Sequence, residues 1–352
     1  MPRRATDGVT LTVANRRRVP CYLRPMHAGQ HYSVREVVLW TRFAIVLFLV
    51  VAAVPTVAWV VFDQHWLALP WQPVALVGTA VAFVTGFQNN AAYGRLWEAR
   101  QIWGSIINSS RTFAVQALDL PTASPAVKKQ LIERHLAWLT ALRFQLREKR
   151  TWETVDRHDN KSYQGFYDVP EWQSDLSTEL AKLLPADEHA HVMATKNRAT
   201  HALAGQSKAV VALASSGELT ELRLVELQRT IAALYDCQGR CERIKNFPYP
   251  RQFATLNGYF KTALVAALPF ALLPEFERLG PSHVWLTIPT SAIVSWIFHM
   301  LEKIGEATEN PFMGGPNDVP ISSMARTIEV DLRELLREPP PPALTPRNNI
   351  SS

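Results

Sequence analysis

The residue types that could do chemistry in this 352-residue chain are spaced for meeting ions and water, not for making and breaking bonds. Between positions 74 and 87 no side chain is charged, and the only polar ones are Thr79 and Thr85. Thr79, Phe83 and Phe87 recur at i, i+4 and i+8, a spacing that drifts about 40° per step around an α-helix. They form one narrow stripe, a hydroxyl followed by two rings. Such a stripe has two readings: packing against lipid or core, or the lining of a narrow path. Directly after it come Gln88, Asn89 and Asn90, then Arg95, Glu98 and Arg100. Arg95 and Glu98 lie three apart, suited to a structural ion pair; the alternative is an ion-attracting ring.

The remaining reactive types are sparse. Cys237 and Cys241 are four apart on a helical pattern, but no CxxC and no nearby histidine completes four ligands, so they read as packed free thiols. His299, Glu302 and Glu306 share one helix face, which reads as a polar helix end before it reads as a divalent-metal site. His189 and His191 read as surface residues. No Gly-rich phosphate loop, GxSxG elbow or paired-carboxylate signature is present. The expectation is therefore no enzyme, no catalytic residue, no cofactor and no metal.

Four apolar segments must position these residues, at about 37–62, 73–97, 253–273 and 284–303. The first is long enough to span a bilayer core, which takes roughly 20 residues. The second has only fourteen uncharged residues before its polar end, so that end must hide in protein or line water. The third contains Lys261 and Pro269; Lys261 is near enough to the segment start to snorkel to headgroups. The fourth contains Pro289, and proline is tolerable in a membrane helix where neighbours satisfy the freed carbonyls.

A mean hydropathy of −0.05 with 19% charged residues calls for a large aqueous part as well. Residues 98–252 and 304–337 supply it and read as helical throughout. Leu131, Leu136, Leu139, Leu142 and Leu146 keep helical spacing within 126–149. Residues 150–167 read as a loop, 170–184, 187–214 and 218–246 as helices, and Ser215, Ser216 and Gly217 as a break. The Pro-rich tail 338–352 should be disordered, extended and mobile. Arg3, Arg4, Arg16, Arg17, Arg18, Arg24 and Arg35 precede the first span against Asp7 and Glu36, whereas the 63–72 connection has no Lys or Arg. By the positive-inside rule both termini and the 98–252 segment are cytoplasmic, in a multi-pass protein of the cell (inner) membrane, and the N-terminus is no cleavable signal. The basic balance could also suit nucleic acid, but no nucleic-acid-binding motif accompanies it.

Three ordered motifs resemble the bestrophin family, including its bacterial members: GFQNNAAYGRLWEARQIWG at 86–104, CERIKNFPYPRQF at 241–253 and ENPFMGGPNDVPIS at 309–322. The resemblance covers about 30–337. It implies an all-α membrane protein, a ring-shaped pentameric channel of four transmembrane helices continuing into a helical cytoplasmic region. Residues 1–337 would form a single channel domain. By the same resemblance the second membrane helix lines the pore. Thr79, Phe83 and Phe87 become its neck, Asn89 and Asn90 its vestibule, and Val225 (or Leu222 or Leu224) a lower aperture. Partners would be further copies of the chain, membrane lipids and permeating monovalent ions, chloride first. A cation-conducting channel of the same fold and a non-conducting membrane scaffold are the alternatives.

Two further expectations follow from the resemblance. The animal family members clasp calcium with an acidic run where this chain has only Asp318, beside Asn310 and Asn317, so calcium gating of that type is not expected. The helix predicted over 319–336, with Ile328, Leu332, Leu335 and Leu336 on one face, should wrap neighbouring subunits.

Overall fold

The structure is a computed structural model that describes residues 34–157, 160–161, 164–165 and 167–344, the side chains of 34–36 and 39 excepted. The N-terminal arginines from Arg3 to Arg24 and tail residues 345–352 lie outside the described residues.

The described residues are helical, and four stretches among them are long and apolar enough to cross a membrane. Helix α1 (Val34–Phe62) is nearly all apolar and leaves most of one side bare, as a lipid-facing helix does. Helix α2 (Trp71–Asp119) runs 49 residues without a break, about 73 Å at 1.5 Å per residue. It therefore reaches from the membrane-type bundle deep into a second, distal bundle. Helix α9 (Arg251–Glu277) carries Pro269 and Pro274 internally. Helix α10 (Thr287–Thr308) follows a 3₁₀ turn (Pro281–Leu286), so Pro289 falls in its first turn, where no intrahelical N–H bond is lost.

The distal bundle is built on α2 by α3 (Pro125–Arg147), α4 (Pro170–Gln173), α5 (Leu176–Ala181), α6 (Ala186–Met193), α7 (Arg198–Ser215), α8 (Glu221–Asn246) and α11 (Ile321–Leu335). Ser124 caps α3 by accepting from the Val127 N–H, with Pro125 at the first helical position. All five leucines predicted to line α3 are buried in one continuous core with Trp103, Phe113 and Trp138. Gly217 takes a left-handed φ of 78° at the break between α7 and α8, a conformation glycine adopts without a steric penalty.

Three expectations are corrected. The stretch 187–214 is two helices, because Asn197 caps the second by accepting from the Thr200 N–H and ends the first run. Residues 170–184 likewise divide into two short helices. Third, the apolar face of α11 is not free to wrap a neighbour. Ile321, Ala325, Ile328 and Leu332 are buried in the core of their own chain against α2 and α3, and only Leu335 remains exposed.

Candidate functional site

Within the membrane bundle α2 has two faces of different chemistry. The inner face packs Val74 and Val81 against Leu264, Leu268 and Ala271 of α9. One turn further on the contact becomes polar. Thr85 Oγ1 donates to Asn257 Oδ1 at 3.1 Å, and Asn257 Nδ2 donates to Gln88 Oε1 at 2.9 Å, all three residues buried. At 100° per residue Thr85 and Gln88 point well away from the Thr79–Phe87 stripe. The outer face is thereby fixed in direction: among the described residues no other helix covers Thr79, Phe83 and Phe87. Phe83 is 67% exposed and Phe87 61%. Their rings meet edge to face at 4.6 Å and 90°, the arrangement the ring quadrupole favours. Thr79 returns its hydroxyl to the Ala75 carbonyl at 3.0 Å. The same face continues through exposed Asn90 to Trp97, on whose ring that of Tyr93 stacks at 6.4 Å and 15°.

Asn89 departs from the vestibule role and is turned away from this face. It is half-buried, and its Nδ2 donates to the Leu301 carbonyl of α10 at 2.9 Å. Two residues beyond Phe87, it lies about 200° from that ring, so it meets a neighbouring helix. The Arg95–Glu98 pair is also replaced. Arg95 donates from Nε to the Glu309 carbonyl and from Nη2 to the Ile244 carbonyl, both at 3.0 Å, tying α2 to the ends of α10 and α8. Glu98 pairs instead with Arg243 of α8. Lys261 does not snorkel to headgroups: it forms a half-buried ion pair with Glu302 of α10, with His299 Nδ1 4.0 Å from the same carboxylate.

The acids nearest the inner end of the bundle are thus engaged. Glu306 holds Arg157 at 2.6 Å and Lys303 at 3.2 Å. Glu309 is buried, which pushes its carboxyl above the usual range against the pull of Arg251 and Arg95. Asp318 is buried too: its Oδ2 accepts from the Gly314 and Gly315 N–H groups at 2.7 and 3.0 Å, with Arg147 Nη1 at 3.6 Å. A carboxylate so occupied, facing a guanidinium, is a poor start for the six to eight oxygens calcium requires. Among the described residues no group of three or more His, Cys, Asp or Glu is placed to hold a metal. Val225 is 45% exposed on α8 and Leu222 is more so, whereas Leu224 packs on the distal core and drops out as an aperture residue. Cys237 and Cys241 are buried and free.

Long apolar helices, an intramembrane ion pair and a bundle whose central helix leaves a ring-lined face open define an all-helical membrane protein. The chain belongs to the bacterial and fungal bestrophin proteins, whose family model matches residues 19–334. It is 30% identical over 281 residues to a voltage-dependent anion channel-forming protein of Ralstonia nicotianae, covering 78% of this chain and 81% of that one. A protein of the same description from Escherichia coli K12 is 24% identical over 271 residues, 77% of this chain and 78% of its own. In fold the chain resembles the crystal structure of a bacterial bestrophin homologue from Klebsiella pneumoniae. The TM-score is 0.72 at 23% identity, over 85% of this chain and 99% of that one.

Proposed function

We propose that this protein is a ring-shaped homo-oligomer, a pentamer, that passively conducts monovalent anions, chloride first, along the open face of α2 brought together from each subunit. The observation that carries the reading is the pair of exposed rings, Phe83 and Phe87, on a membrane helix whose opposite face is locked to its own chain. A bare aromatic stripe on an internal helix wants identical stripes around it, and a heterologous interface that closes makes such rings. Thr79, Phe83 and Phe87 form the neck, Asn90 faces the widening below it, and Val225 forms a lower aperture. Residues 1–337 act as one channel domain in the cell membrane with both termini cytoplasmic, contacting lipid through α1.

The distribution of charge favours anions. A cation pore concentrates free carboxylates along its path. Here Glu98, Glu302 and Glu306 are each committed to a basic side chain, and Glu309 is buried. Rings that turn their edges to the axis present the positive end of the quadrupole and favour anions, whereas their faces would favour cations. The names carried by the relatives from Ralstonia and Escherichia agree with this reading. Recording the purified protein in a bilayer with asymmetric sodium chloride tests it. The expected reversal potential lies near the chloride equilibrium value; one near the sodium value would establish the cation alternative.

A further inference from the structure

We propose that Asn89 is a positioning residue: its amide, seated over Gly305, clamps the neck helix to α10 and sets the rotational register that gating must break. The inference rests on the channel reading. Asn89 follows Phe87 by two residues and points to the opposite side of α2, so the neck rings cannot turn about the helix axis without drawing Asn89 off α10. Its Nδ2 donates to the Leu301 carbonyl at 2.9 Å. In an α-helix that carbonyl also accepts from the N–H four residues on, which is Gly305, and a carbonyl oxygen has two lone pairs to share. The amide therefore straddles a single turn of α10.

The other half of the amide explains why residue 305 is glycine. Asn89 Oδ1 is buried and has no hydrogen-bond partner. A Cβ built on Gly305 would fall 2.3 Å from that oxygen, inside any real contact distance. Any side chain at 305 would force the amide to shift from its seat on that turn and so strain its bond to Leu301. A buried acceptor left without a donor carries a desolvation cost. The neighbouring hold differs in kind: Thr85, Asn257 and Gln88 satisfy one another between α2 and α9. Of the two holds on the neck, the half-satisfied one at Asn89 yields first. Withdrawing it lets the orphan oxygen find a donor, which lowers but does not cancel the cost of losing the bond to Leu301.

Single-channel recordings of the wild-type, Asn89→Ala, Gly305→Ala and doubly substituted proteins test the clamp. Each single substitution should change the ratio of open to closed time by roughly three- to tenfold, the span of one interhelical hydrogen bond in a membrane. Unitary conductance and reversal potential should stay at wild-type values. The double variant should match the singles and not multiply them, because both remove the same contact. Should Gly305→Ala fail to assemble, the double variant should restore assembly, since removing the amide vacates the space a Cβ at 305 needs. Multiplicative effects, an unchanged open ratio in Asn89→Ala, a changed conductance in that variant, or a double variant that fails where Gly305→Ala fails would each overturn the clamp. Silent wild-type membranes would overturn the channel reading and the clamp with it; a conducting wild type with independent variants overturns the clamp alone.

Discussion

The distal and membrane bundles hang on the same helix, α2, and are held together by opposite means. In the distal bundle Trp103, Phe113, Trp138 and the α3 leucines merge into one continuous apolar core. In the membrane bundle apolar contact breaks into small groups, such as Phe48 with Val265 and Ala292, or Trp59 with Leu273 and Val284. Individual polar contacts link the helices between them: Trp296 Nε1 to Thr41 Oγ1 at 3.0 Å, Thr85 and Gln88 to Asn257, and Lys261 to Glu302. In water apolar burial drives packing. Lipid tails are as apolar as leucine, so between membrane helices that drive is absent and shape and hydrogen bonds set the register. The distal half of α2 is therefore where stability resides, and the membrane half is where small changes alter orientation and hence function.

Removing one buried contact in each bundle tests that division most severely. Trp138→Ala removes a fully buried ring and its bond from Nε1 to Gln238 Oε1 at 2.9 Å. It should cost about 3–5 kcal/mol, enough to abolish assembly at moderate temperature. Thr85→Val, which removes one membrane hydrogen bond, should cost only about 0.6 kcal/mol. Thermal unfolding in detergent measures both, and equal losses would dissolve the distinction.

A smaller effect concerns pH. His135 lies in the distal core, stacked on Phe113 at 5.1 Å, and neither ring nitrogen has a partner. Burial pushes its imidazole down to about 3 from an ordinary 6.5. The unfolded chain takes up that proton first, so the stability His135 contributes is full above 6.5 and is lost as pH falls toward 3. Asp318 has the opposite sign. Burial raises its carboxyl to about 7 from 3.8, Arg147 notwithstanding, so its contribution is full below 3.8 and is lost as pH rises through 7. Between roughly pH 4 and 6.5 the two slopes oppose one another in the wild-type protein. His135→Phe should remove one of them, so that stability rises less, or falls more, with pH over this range than in the wild-type protein, with a gain of about 1–2 kcal/mol near pH 5 from the lost orphan nitrogens. A pH profile parallel to that of the wild-type protein would refute this account of the distal core.

What the sequence made legible was periodic and local. The span of α1, the leucine register of α3, the break at Gly217 and the Thr79–Phe83–Phe87 stripe all follow from spacing along one segment, and the structure keeps them. Partners chosen across the chain were not legible. The guanidinium of Arg95 prefers carbonyls 149 and 214 residues away to the carboxylate one turn along, because α8 and the end of α10 bring unsatisfied acceptors to it. Lys261 reads as a snorkelling residue until α10 sets Glu302 against it. Asn89 and Asn90 look equivalent in sequence, yet 100° of helix separates their directions, and only the position of α10 shows which amide is taken. The one local signal for that contact was Gly305 in the last turn of α10, where the missing Cβ lets another group come close. The burial of α11 was hidden for a related reason. Its amphipathic pattern shows that one face is covered but not by which chain.

The central claim is that the uncovered face of α2 is the conduction path, and the double substitution Phe83→Ala/Phe87→Ala tests it most directly. Both residues are exposed in the protomer, so the change leaves the packing with α9 and α10 in place and should not cost assembly. Single-channel current in symmetric chloride is the measurement. If the two rings form the neck, removing them widens the constriction, and unitary conductance should rise several-fold over that of the wild-type protein. A correctly assembled double variant with the wild-type conductance would place the path elsewhere and contradict the account.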